Sequence, residues 1–398
     1  MAKASSSVAT VILAGGQGSR LQPLTLNHAK PAVSYGGRYR LIDIPISNSI
    51  NSGFRQIFVI AQYLSDELQH HIHQTHPGSI EVLTPQHKQQ WFAGTADAVR
   101  KNLPTLLQSS AEYFLILSGD QLYNINFQEM VAFAVATQSE LTIASIPVCE
   151  KDASRMGLLQ IDEERRIRTF VEKPKDRAIL NQFVLPNTDQ YLASMGIYVF
   201  QREALVELLQ SDQRDDFGYH LIQTAVGRGK TTSFLYSGYW EDIGTIASYY
   251  EANLLLTHSN KGLDTYDARN PIYTRSTFLP GPKIHCTQIN QSIICEGSQI
   301  HAQEISHSVI GLRSHIGKGT IIRSSVLMGN PETCTKPFGI GKGCMIEKAI
   351  IDERVEIGDQ VQLVNKQGLS YYEKDGVFVR DGIIIIPAGT HIPNDFVF

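Results

Sequence analysis

The chain has 398 residues, of which 42% are hydrophobic and 19% charged, and it carries a formal net charge of −4 at pH 7. A chain of this length and apolar content forms about two to three domains with buried cores. The mildly acidic balance argues against a general nucleic-acid binder or a protein held on an anionic membrane, although local Arg and Lys side chains can still hold anionic substrates. No apolar run approaches the length that spans a bilayer.

Cysteine usage favours a reducing compartment. The five cysteines form an odd set without a Cys-x-x-Cys pair, namely Cys149, Cys286, Cys295, Cys334 and Cys344. Because disulfides are rare in the cytosol, we expect reduced thiols and a cytoplasmic protein.

The chain from about residue 8 to residue 255 alternates between strand-like and helix-like segments. Strands are predicted at Val8–Leu13, Gln56–Ile60, Tyr113–Leu117, Leu141–Ile146, Ile197–Phe200 and Thr232–Tyr236. Helices are predicted between them, for example at Leu64–His73, Ala96–Leu107, Phe127–Thr137 and Ala204–Gln210. This alternation predicts an α/β domain with a Rossmann-like, mostly parallel sheet covered on both faces. Ligands of such domains bind beyond the carboxyl ends of the strands.

From about residue 284 onward, aliphatic residues recur six apart and are often followed by glycine. The spacing holds for Ile294 and Ile300; Ile310, Ile316 and Ile322; Ile340 and Ile346; and Ile351, Ile357 and Leu363. Hexapeptide spacing predicts a parallel β-helix in which each aliphatic side chain stacks on the next coil; a β-sandwich with accidental spacing is the alternative. The predicted domains are therefore 1–260 and 284–398, with a linker over 261–283 and a loop between coils at 329–339.

The first predicted strand leads directly into a glycine-rich turn. After Val11–Leu13 come Gly15, Gly16 and Gly18, and then Arg20. Glycine lets backbone N–H groups approach a phosphate closely, and amides oriented at a turn before a helix bind anions. The guanidinium of Arg20 adds a permanent positive charge with paired N–H donors. The pattern predicts nucleotide-phosphate binding, whereas a tight turn in any α/β domain is the alternative.

Three further motifs fit a phosphate site. Lys30 precedes a proline ten residues after Arg20, which favours a second cation on phosphate over a mobile surface lysine. Gly94 and Thr95 open a predicted helix, with Thr95 as its N-cap and Gly94 permitting close approach of a flat ring or a phosphate. Asp120 ends an apolar strand, where a carboxylate beside a phosphate loop is a natural Mg²⁺ ligand rather than a cap of the next helix.

Two later motifs complete this set. Glu172 and Lys173 are neighbours in an extended segment, so their side chains are expected to point to opposite faces and need not pair. Lys173 could then reach a sugar phosphate while Glu172 reaches hydroxyls; a solvated charge pair is the alternative. Asp242 supplies a second acid, and Asp120 and Asp242 could hold one metal from distant positions. Together these groups suit nucleotidyl transfer, in which positioning and electrostatic stabilisation carry most of the catalysis.

These motifs resemble those of the nucleotide-sugar pyrophosphorylases, and within them the group that makes ADP-glucose. The likeness spans about residues 8 to 390 and includes Gly-Gly-x-Gly-x-Arg-Leu, Lys-Pro, Gly-Asp and Glu-Lys-Pro, together with the segments 40–53, 94–99, 193–198, 216–218 and 240–244. The resemblance implies the α/β domain followed by a left-handed parallel β-helix. It also implies ATP and glucose 1-phosphate as substrates, Mg²⁺ as cofactor, and a place in glycogen or starch synthesis.

The resemblance also implies roles for individual residues. Arg20, Lys30 and Asp120 are the expected catalytic residues, and Asp120 and Asp242 the metal ligands. Nucleotide-binding residues are Gly15, Gly16, Gly18, Phe92, Gly94, Thr95 and Asp120, and those on the glucose 1-phosphate side are Gly157, Glu172, Lys173 and Ser194. Arg40 and Lys366 are expected in regulation by sugar-phosphate or phosphate effectors between the two domains of a homotetramer.

Three alternatives stay open on the sequence alone. The first is another sugar nucleotidyltransferase, against which segments 94–99 and 239–244 argue. The second is a catalytically weak regulatory subunit, against which Arg20, Lys30 and both acids argue. The third is an acyltransferase built on the β-helix, which would need a catalytic histidine such as His301, His307 or His315 and would leave the first half of the chain unexplained.

Overall fold

The computed structural model describes residues 7–85, 87, 91–330 and 339–398. Cys334 and most of the predicted loop 329–339 lie outside the described residues. The four described cysteines are all free, as predicted. No described helix is both long and apolar enough to cross a membrane.

The first part of the chain alternates strands and helices. Its strands are β1 (Val8–Leu13), β2 (Ser34–Tyr35), β3 (Tyr39–Arg40), β4 (Gln56–Ile60), β5 (Ile80–Leu83), β6 (Tyr113–Ser118), β7 (Gln121–Tyr123), β8 (Leu141–Val148), β9 (Gly157–Ile161), β10 (Ile167–Glu172), β11 (Tyr191–Gln201), β12 (Thr231–Leu235) and β13 (Trp240–Asp242). Its helices are α1 (Asp43–Asn51), α2 (Ser65–Thr75), α3 (Thr95–Leu106), α4 (Phe127–Ala136), α5 (Glu150–Ala153), α6 (Arg177–Leu180), α7 (Arg202–Ser211), α8 (Ile222–Gly227) and α9 (Ile246–Leu255). Short 3-10 turns cover Ser19–Leu21, Lys30–Ala32 and Asn181–Phe183, and a single π-helical turn covers Phe217–Leu221.

The main sheet is mixed. Along its principal path the strands follow the order β10-β9-β11-β6-β1-β4-β5, and β8 joins β11 to β12. The half around β1 is parallel, because β1 pairs in parallel with β4 and β6, and β4 with β5. Strand β11 runs antiparallel to its neighbours β6, β8 and β9. The Rossmann-like α/β domain predicted from the alternation is confirmed. All six predicted strands and all four predicted helices are present, with ends within two residues of the predicted ones except that β11 begins six residues before the predicted Ile197.

Each face of this sheet has its own hydrophobic core. Successive residues of a strand point to opposite faces, so β1 sends Ala9 and Val11 into one core and Val8 and Ile12 into the other. Helices α3, α7 and α8 cover the first core, and α1, α2 and α4 cover the second. Burial on both faces explains why the strand sequences read as continuous apolar runs.

Residues 283–392 form a β-helix with three sheets, whose strands pair in parallel except at the hairpin 371–380 and its pairing with the next strand. Its strands are β14 (Lys283–Ile284), β15 (Gln288–Asn290), β16 (Ile293–Ile294), β17 (Gln299–Ile300), β18 (Glu304–Ser306), β19 (Val309–Ile310), β20 (His315–Ile316), β21 (Ile321–Arg323), β22 (Val326–Leu327), β23 (Gly339–Ile340), β24 (Met345–Glu347), β25 (Ala349–Ile351), β26 (Glu356–Ile357), β27 (Gln362–Leu363), β28 (Tyr371–Lys374), β29 (Val377–Arg380), β30 (Ile383–Ile386) and β31 (His391–Ile392). Equivalent aliphatics stack between coils, as in the ladder of Ile300, Ile316, Ile340 and Ile357. The hexapeptide spacing therefore predicted these coils correctly.

The two parts of the chain share a third hydrophobic core. Tyr249 and Leu254 of α9 pack in it with Val309, Val326 and Ile350 of the β-helix. The backbones also meet directly, since the Leu312 N–H donates to the Gly37 carbonyl over 3.0 Å. This contact fixes the β-helix against the segment that follows the glycine-rich turn.

Candidate active site

A crevice opens at the carboxyl ends of β1, β4 and β6. Its volume is about 440 Å³, and its walls include Gly15, Gly16, Lys30, Asp120 and Lys173. A cavity of this size is typical of sites for small molecules. The structure thus brings together the groups that follow the first strand and the strand at Tyr113–Ser118, as the strand-end rule predicts.

The glycine-rich turn leaves one wall of the crevice open to a ligand. A side chain built on Gly16 would meet no atom within 4 Å, so its backbone is accessible. Gly18 has a φ of 65°, and a Cβ there would lie 2.9 Å from the Cβ of Lys30, so this position requires glycine. Arg20 follows in the 3-10 turn Ser19–Leu21, and its guanidinium packs beside Gly244, where it lies 3.5 Å from the position of an added Cβ.

An ion pair between Lys30 and Asp120 forms the floor of the crevice. The Lys30 ammonium donates to the Asp120 carboxylate, which also accepts from the Ser118 hydroxyl. Burial alone would raise the pKa of Asp120, but the Lys30 ammonium and the Ser118 hydroxyl outweigh burial and lower it. Pro31 sets Lys30 on a rigid 3-10 turn. The floor therefore presents a fixed positive and a fixed negative charge.

Asp242 comes next to Asp120 through strand pairing. Strand β13 pairs antiparallel with β7, Asp242 lies opposite Gln121, and the Ile243 N–H donates to the Asp120 carbonyl over 3.2 Å. Burial raises the pKa of Asp242, and the nearby Asp120 carboxylate raises it further. Like charges in a buried site fit a divalent cation, which relieves their repulsion and takes its other ligands from phosphate and water. In the described ranges, no group of three or more His, Cys, Asp or Glu side chains is arranged to hold a metal ion. A cation at Asp120 and Asp242 would therefore need the phosphate and water ligands.

The opposite wall carries Glu172 and Lys173. The prediction that these neighbours point to opposite faces is wrong, because the Lys173 ammonium lies 2.9 Å from the Glu172 carboxylate. Strand β10 ends at Glu172, and Lys173 has a φ of 46°, so the strand alternation on which the prediction rested stops there. Burial alone would lower the pKa of Lys173, but Glu172 outweighs it and raises the pKa. The Lys173 ammonium also lies 5.1 Å from the centre of the Tyr219 ring.

Two glycines leave room for the Glu172 carboxylate. A Cβ on Gly157 would lie 2.7 Å from a Glu172 oxygen, and a Cβ on Gly218 would lie 2.8 Å from the carboxyl carbon. Gly157 is therefore tied to this wall through Glu172, although neither it nor Ser194 is among the described residues that line the crevice. The Ser194 hydroxyl accepts from the Gly196 N–H over 3.2 Å, and Gly196 does line the crevice.

A third part of the wall is formed by Phe92, Gly94 and Thr95. The prediction that Thr95 is the N-cap of its helix is wrong, since Gly94 is the N-cap and Thr95 is the first helical residue. The Asp215 carbonyl accepts from the Ala96 and Asp97 N–H groups over 2.7 and 3.2 Å and so supplies the capping.

The Asp215 carbonyl also explains why residue 94 is a glycine. A Cβ on Gly94 would lie 2.4 Å from the Asp215 carbonyl oxygen, so close packing of two backbones, rather than a ligand, requires glycine here. The Thr95 hydroxyl instead joins the π-helical turn, because it accepts from the Phe217 N–H over 3.0 Å.

The sequence analysis assigned no role to several residues that line the crevice. They include Gln62, Tyr198 and Asp216. Gln62 accepts from the Phe92 N–H over 2.8 Å, and it lies two residues after β4, so the strand-end rule could have found it. The predicted strand 197–200 includes Tyr198, but the prediction did not include its antiparallel pairing. Asp216 caps the π-helical turn, and no sequence rule used above predicts such a turn.

The two residues expected in regulation lie apart from this crevice. Arg40 is largely buried where the two parts of the chain meet, and its guanidinium lies 3.4 Å from both Glu67 and Glu353. Lys366 is exposed beyond β27 and donates to the Gln362 side chain over 3.0 Å.

Family models match most of the chain. A model described as nucleotidyl transferase matches residues 9–259, and one described as the GLGC left-handed parallel beta-helix domain matches residues 277–397. The chain therefore belongs to the nucleotidyl transferase family, which leaves no support for the acyltransferase alternative. These two domains in this order are the architecture of ADP-glucose pyrophosphorylase, a nucleotide-sugar pyrophosphorylase, so the chain is a sugar nucleotidyltransferase of that type and its β-helix is left-handed, as expected.

Proposed function

We propose that this protein is a glucose-1-phosphate adenylyltransferase, which converts ATP and α-D-glucose 1-phosphate into ADP-glucose and diphosphate. The observation that carries the proposal is the Lys30–Asp120 ion pair, which lies between an open glycine-rich turn and the Glu172–Lys173 pair in one crevice. Such a crevice suits a nucleoside triphosphate on one side and a phosphorylated sugar on the other.

Residues in and beside the crevice carry out the separate parts of an in-line displacement. The N–H groups of the glycine-rich turn and Arg20 bind the outer phosphates, and Lys30 neutralises charge that develops at the α-phosphate. Lys173 binds the phosphate of glucose 1-phosphate, and Glu172 accepts from sugar hydroxyls. A glucose 1-phosphate oxygen forms the new bond to the α-phosphorus, the bond from that phosphorus to the bridging oxygen breaks, and diphosphate leaves with the electron pair. Phe92, Gly94 and Thr95 flank the adenine.

Mg²⁺ is the proposed cofactor, and Asp120 and Asp242 would hold it. Nucleotidyl transferases generally use divalent metal ions, and when bound such an ion neutralises phosphate charge and orients the leaving group. Asp120 is then shared between Lys30 and the cation. Removal of the metal by a chelator is expected to abolish turnover and leave the fold unchanged.

The resemblance supports the biological setting of this proposal. We place the enzyme in the synthesis of glycogen or starch, in the cytoplasm, and as a homotetramer that responds to sugar-phosphate or phosphate effectors. Arg40 and Lys366 are assigned to regulation on the resemblance alone.

The test is diphosphate release from purified protein with glucose 1-phosphate, Mg²⁺ and each of ATP, UTP, dTTP and GTP in turn. Turnover selective for ATP is the expected result, and a chelator control shows the metal dependence. Selectivity for another nucleotide would make the protein a different sugar nucleotidyltransferase. A folded protein without turnover on any nucleotide would instead be a regulatory subunit.

Replacing Lys173 by alanine should raise the KM for glucose 1-phosphate about 10- to 100-fold and change the KM for ATP little, because a charged hydrogen bond to the sugar phosphate is lost. Steady-state kinetics with each substrate varied in turn measure the split. Lys175→Ala is the control, since Lys175 is an exposed lysine of the same segment. An equal rise in both KM values would show that Lys173 does not bind the sugar phosphate.

A further inference from the structure

A cluster of charged and polar side chains is buried where the β-helix meets the α/β domain. This interdomain cluster consists of His28, Ser34, Arg40 and Glu67 of the α/β domain, and Asp352 and Glu353 of the β-helix. Asp352 and Glu353 lie in the turn between β25 and β26 and are only 4% and 6% exposed. Because a buried carboxylate is costly unless it is paired, the partners of Glu353 show what it does.

The Glu353 carboxylate makes its hydrogen bond and its ion pair with β2 and β3 of the α/β domain. Its Oε1 accepts from the Ser34 hydroxyl over 2.6 Å and lies 3.4 Å from the Arg40 guanidinium. Burial alone would raise the pKa of Glu353, but Arg40, Ser34 and the imidazole of His28 outweigh it and lower the pKa. The β-helix therefore inserts an ionised carboxylate into the α/β domain.

Arg40 also contacts the turn that carries Lys30. Its guanidinium donates to the Ala32 carbonyl, and the next two residues bind the same turn through their backbones. The Leu41 N–H donates to the Val33 carbonyl over 3.1 Å, and the Ile42 N–H donates to the Pro31 carbonyl over 2.9 Å. On the other side of the turn, His28 is held by the Glu67 carboxylate at 2.9 Å. Arg40 therefore links Glu353 to the turn that carries Lys30.

The Arg40 guanidinium is already occupied by carboxylates of this chain. Glu67 and Glu353 lie at 3.4 Å from it, and its side chain is only 18% exposed. The cluster holds three carboxyl groups, from Glu67, Asp352 and Glu353, against the Arg40 guanidinium and the His28 imidazole. Two further charged groups act on it, since Asp43 lies near Arg40 and Arg354 lies near Glu353. An anion from solution could reach Arg40 only by displacing one of these carboxylates.

We propose that Glu353 is a positioning residue for the transferase site, a built-in anion of the β-helix that holds Arg40 and thereby the turn that carries Lys30. This inference rests on the proposed function, because it assigns Lys30 to the reaction. It goes beyond that function by giving the β-helix a direct part in the active site. An anionic effector of the kind proposed above would bind Arg40 by displacing one of these carboxylates.

The test is the kcat of Glu353→Gln, which keeps the size of the side chain and removes its charge. We expect kcat to fall about tenfold with little change in either KM, as when one charged hydrogen bond is lost. Glu353→Asp, which keeps the charge, should retain more activity. The matched control is Glu296→Gln, since Glu296 also joins the two domains but pairs with Arg38, at 2.9 Å, rather than with Arg40, and its side chain is more exposed than that of Glu353.

Anion rescue separates positioning from simple destabilisation. Inorganic sulfate, titrated against chloride at constant ionic strength, should restore kcat of Glu353→Gln relative to the wild type and raise its Tm. Sulfate should have neither effect on the wild type or on Glu296→Gln. An unchanged kcat in Glu353→Gln, or a loss that sulfate does not restore, would overturn the proposal.

The two proposals fail in different ways. If the wild type turns over no nucleotide, the proposed function fails, and the sulfate-dependent Tm of Glu353→Gln still tests the built-in anion. If the wild type is active and the variant is equally active, only the role of Glu353 fails. If Glu353→Gln does not fold, Ser34→Ala replaces it, because that change removes the donor to Glu353 and keeps both charges; a normal kcat for Ser34→Ala would then count against the proposal.

Discussion

Asp120→Asn is expected to lower kcat by about a hundred- to a thousandfold, the range seen when one preorganised electrostatic group of an active site is removed. Asparagine matches the size of aspartate and can still accept from the Ser118 hydroxyl, but it cannot neutralise Lys30 or bind a cation strongly. The measurement is diphosphate release with ATP and glucose 1-phosphate at saturating Mg²⁺.

The fold should survive this substitution, because Asp242 remains nearby to balance part of the Lys30 charge. Circular dichroism and the Tm check this point, and Asp189→Asn, at an exposed position, controls for loss of one negative charge. Near-normal turnover of a folded Asp120→Asn variant would remove Asp120 from both the catalytic and the metal-binding assignment. A large loss that is matched by Asp242→Asn would support a cation shared by the two acids.

Ile316→Asp should unfold the β-helix or dissociate the protein. Ile316 is fully buried in the ladder between Ile300 and Ile340, so the new carboxylate would lack both water and a partner. An uncompensated buried charge costs several kcal/mol, which is comparable to the whole stability of a domain. Thermal melting followed by circular dichroism, together with size-exclusion chromatography, measures the effect.

The matched control for this substitution is Lys318→Asp, two residues further along the same coil at an exposed position. It should leave the Tm nearly unchanged, because an exposed carboxylate keeps its hydration. An unchanged Tm and elution volume for Ile316→Asp would contradict the assignment of the hexapeptide aliphatics to the interior of the coils.

Local sequence patterns predicted much of the site, because glycine, proline and the end of a strand determine the local course of the backbone. The glycine-rich turn, Lys30 before proline and Asp120 at the end of a strand all came from residue type and position, and the structure brings them to one crevice. The Thr95 cap failed for a tertiary reason, since a carbonyl of the distant segment at Asp215 takes over the capping. The Glu172–Lys173 prediction failed because a positive φ at Lys173 ends the alternation of the strand.

The sequence by itself determined the two architectures and the chemical types gathered at the crevice, because apolar periodicity and glycine placement are properties of single segments. Only the tertiary structure decided which distant groups meet. Asp242 reaches Asp120 through the pairing of β13 with β7, and Glu353 reaches Arg40 through the docking of the β-helix. Such contacts depend on strand pairing and core packing across the whole chain. A local sequence pattern cannot specify which distant residue will pair with a buried charge.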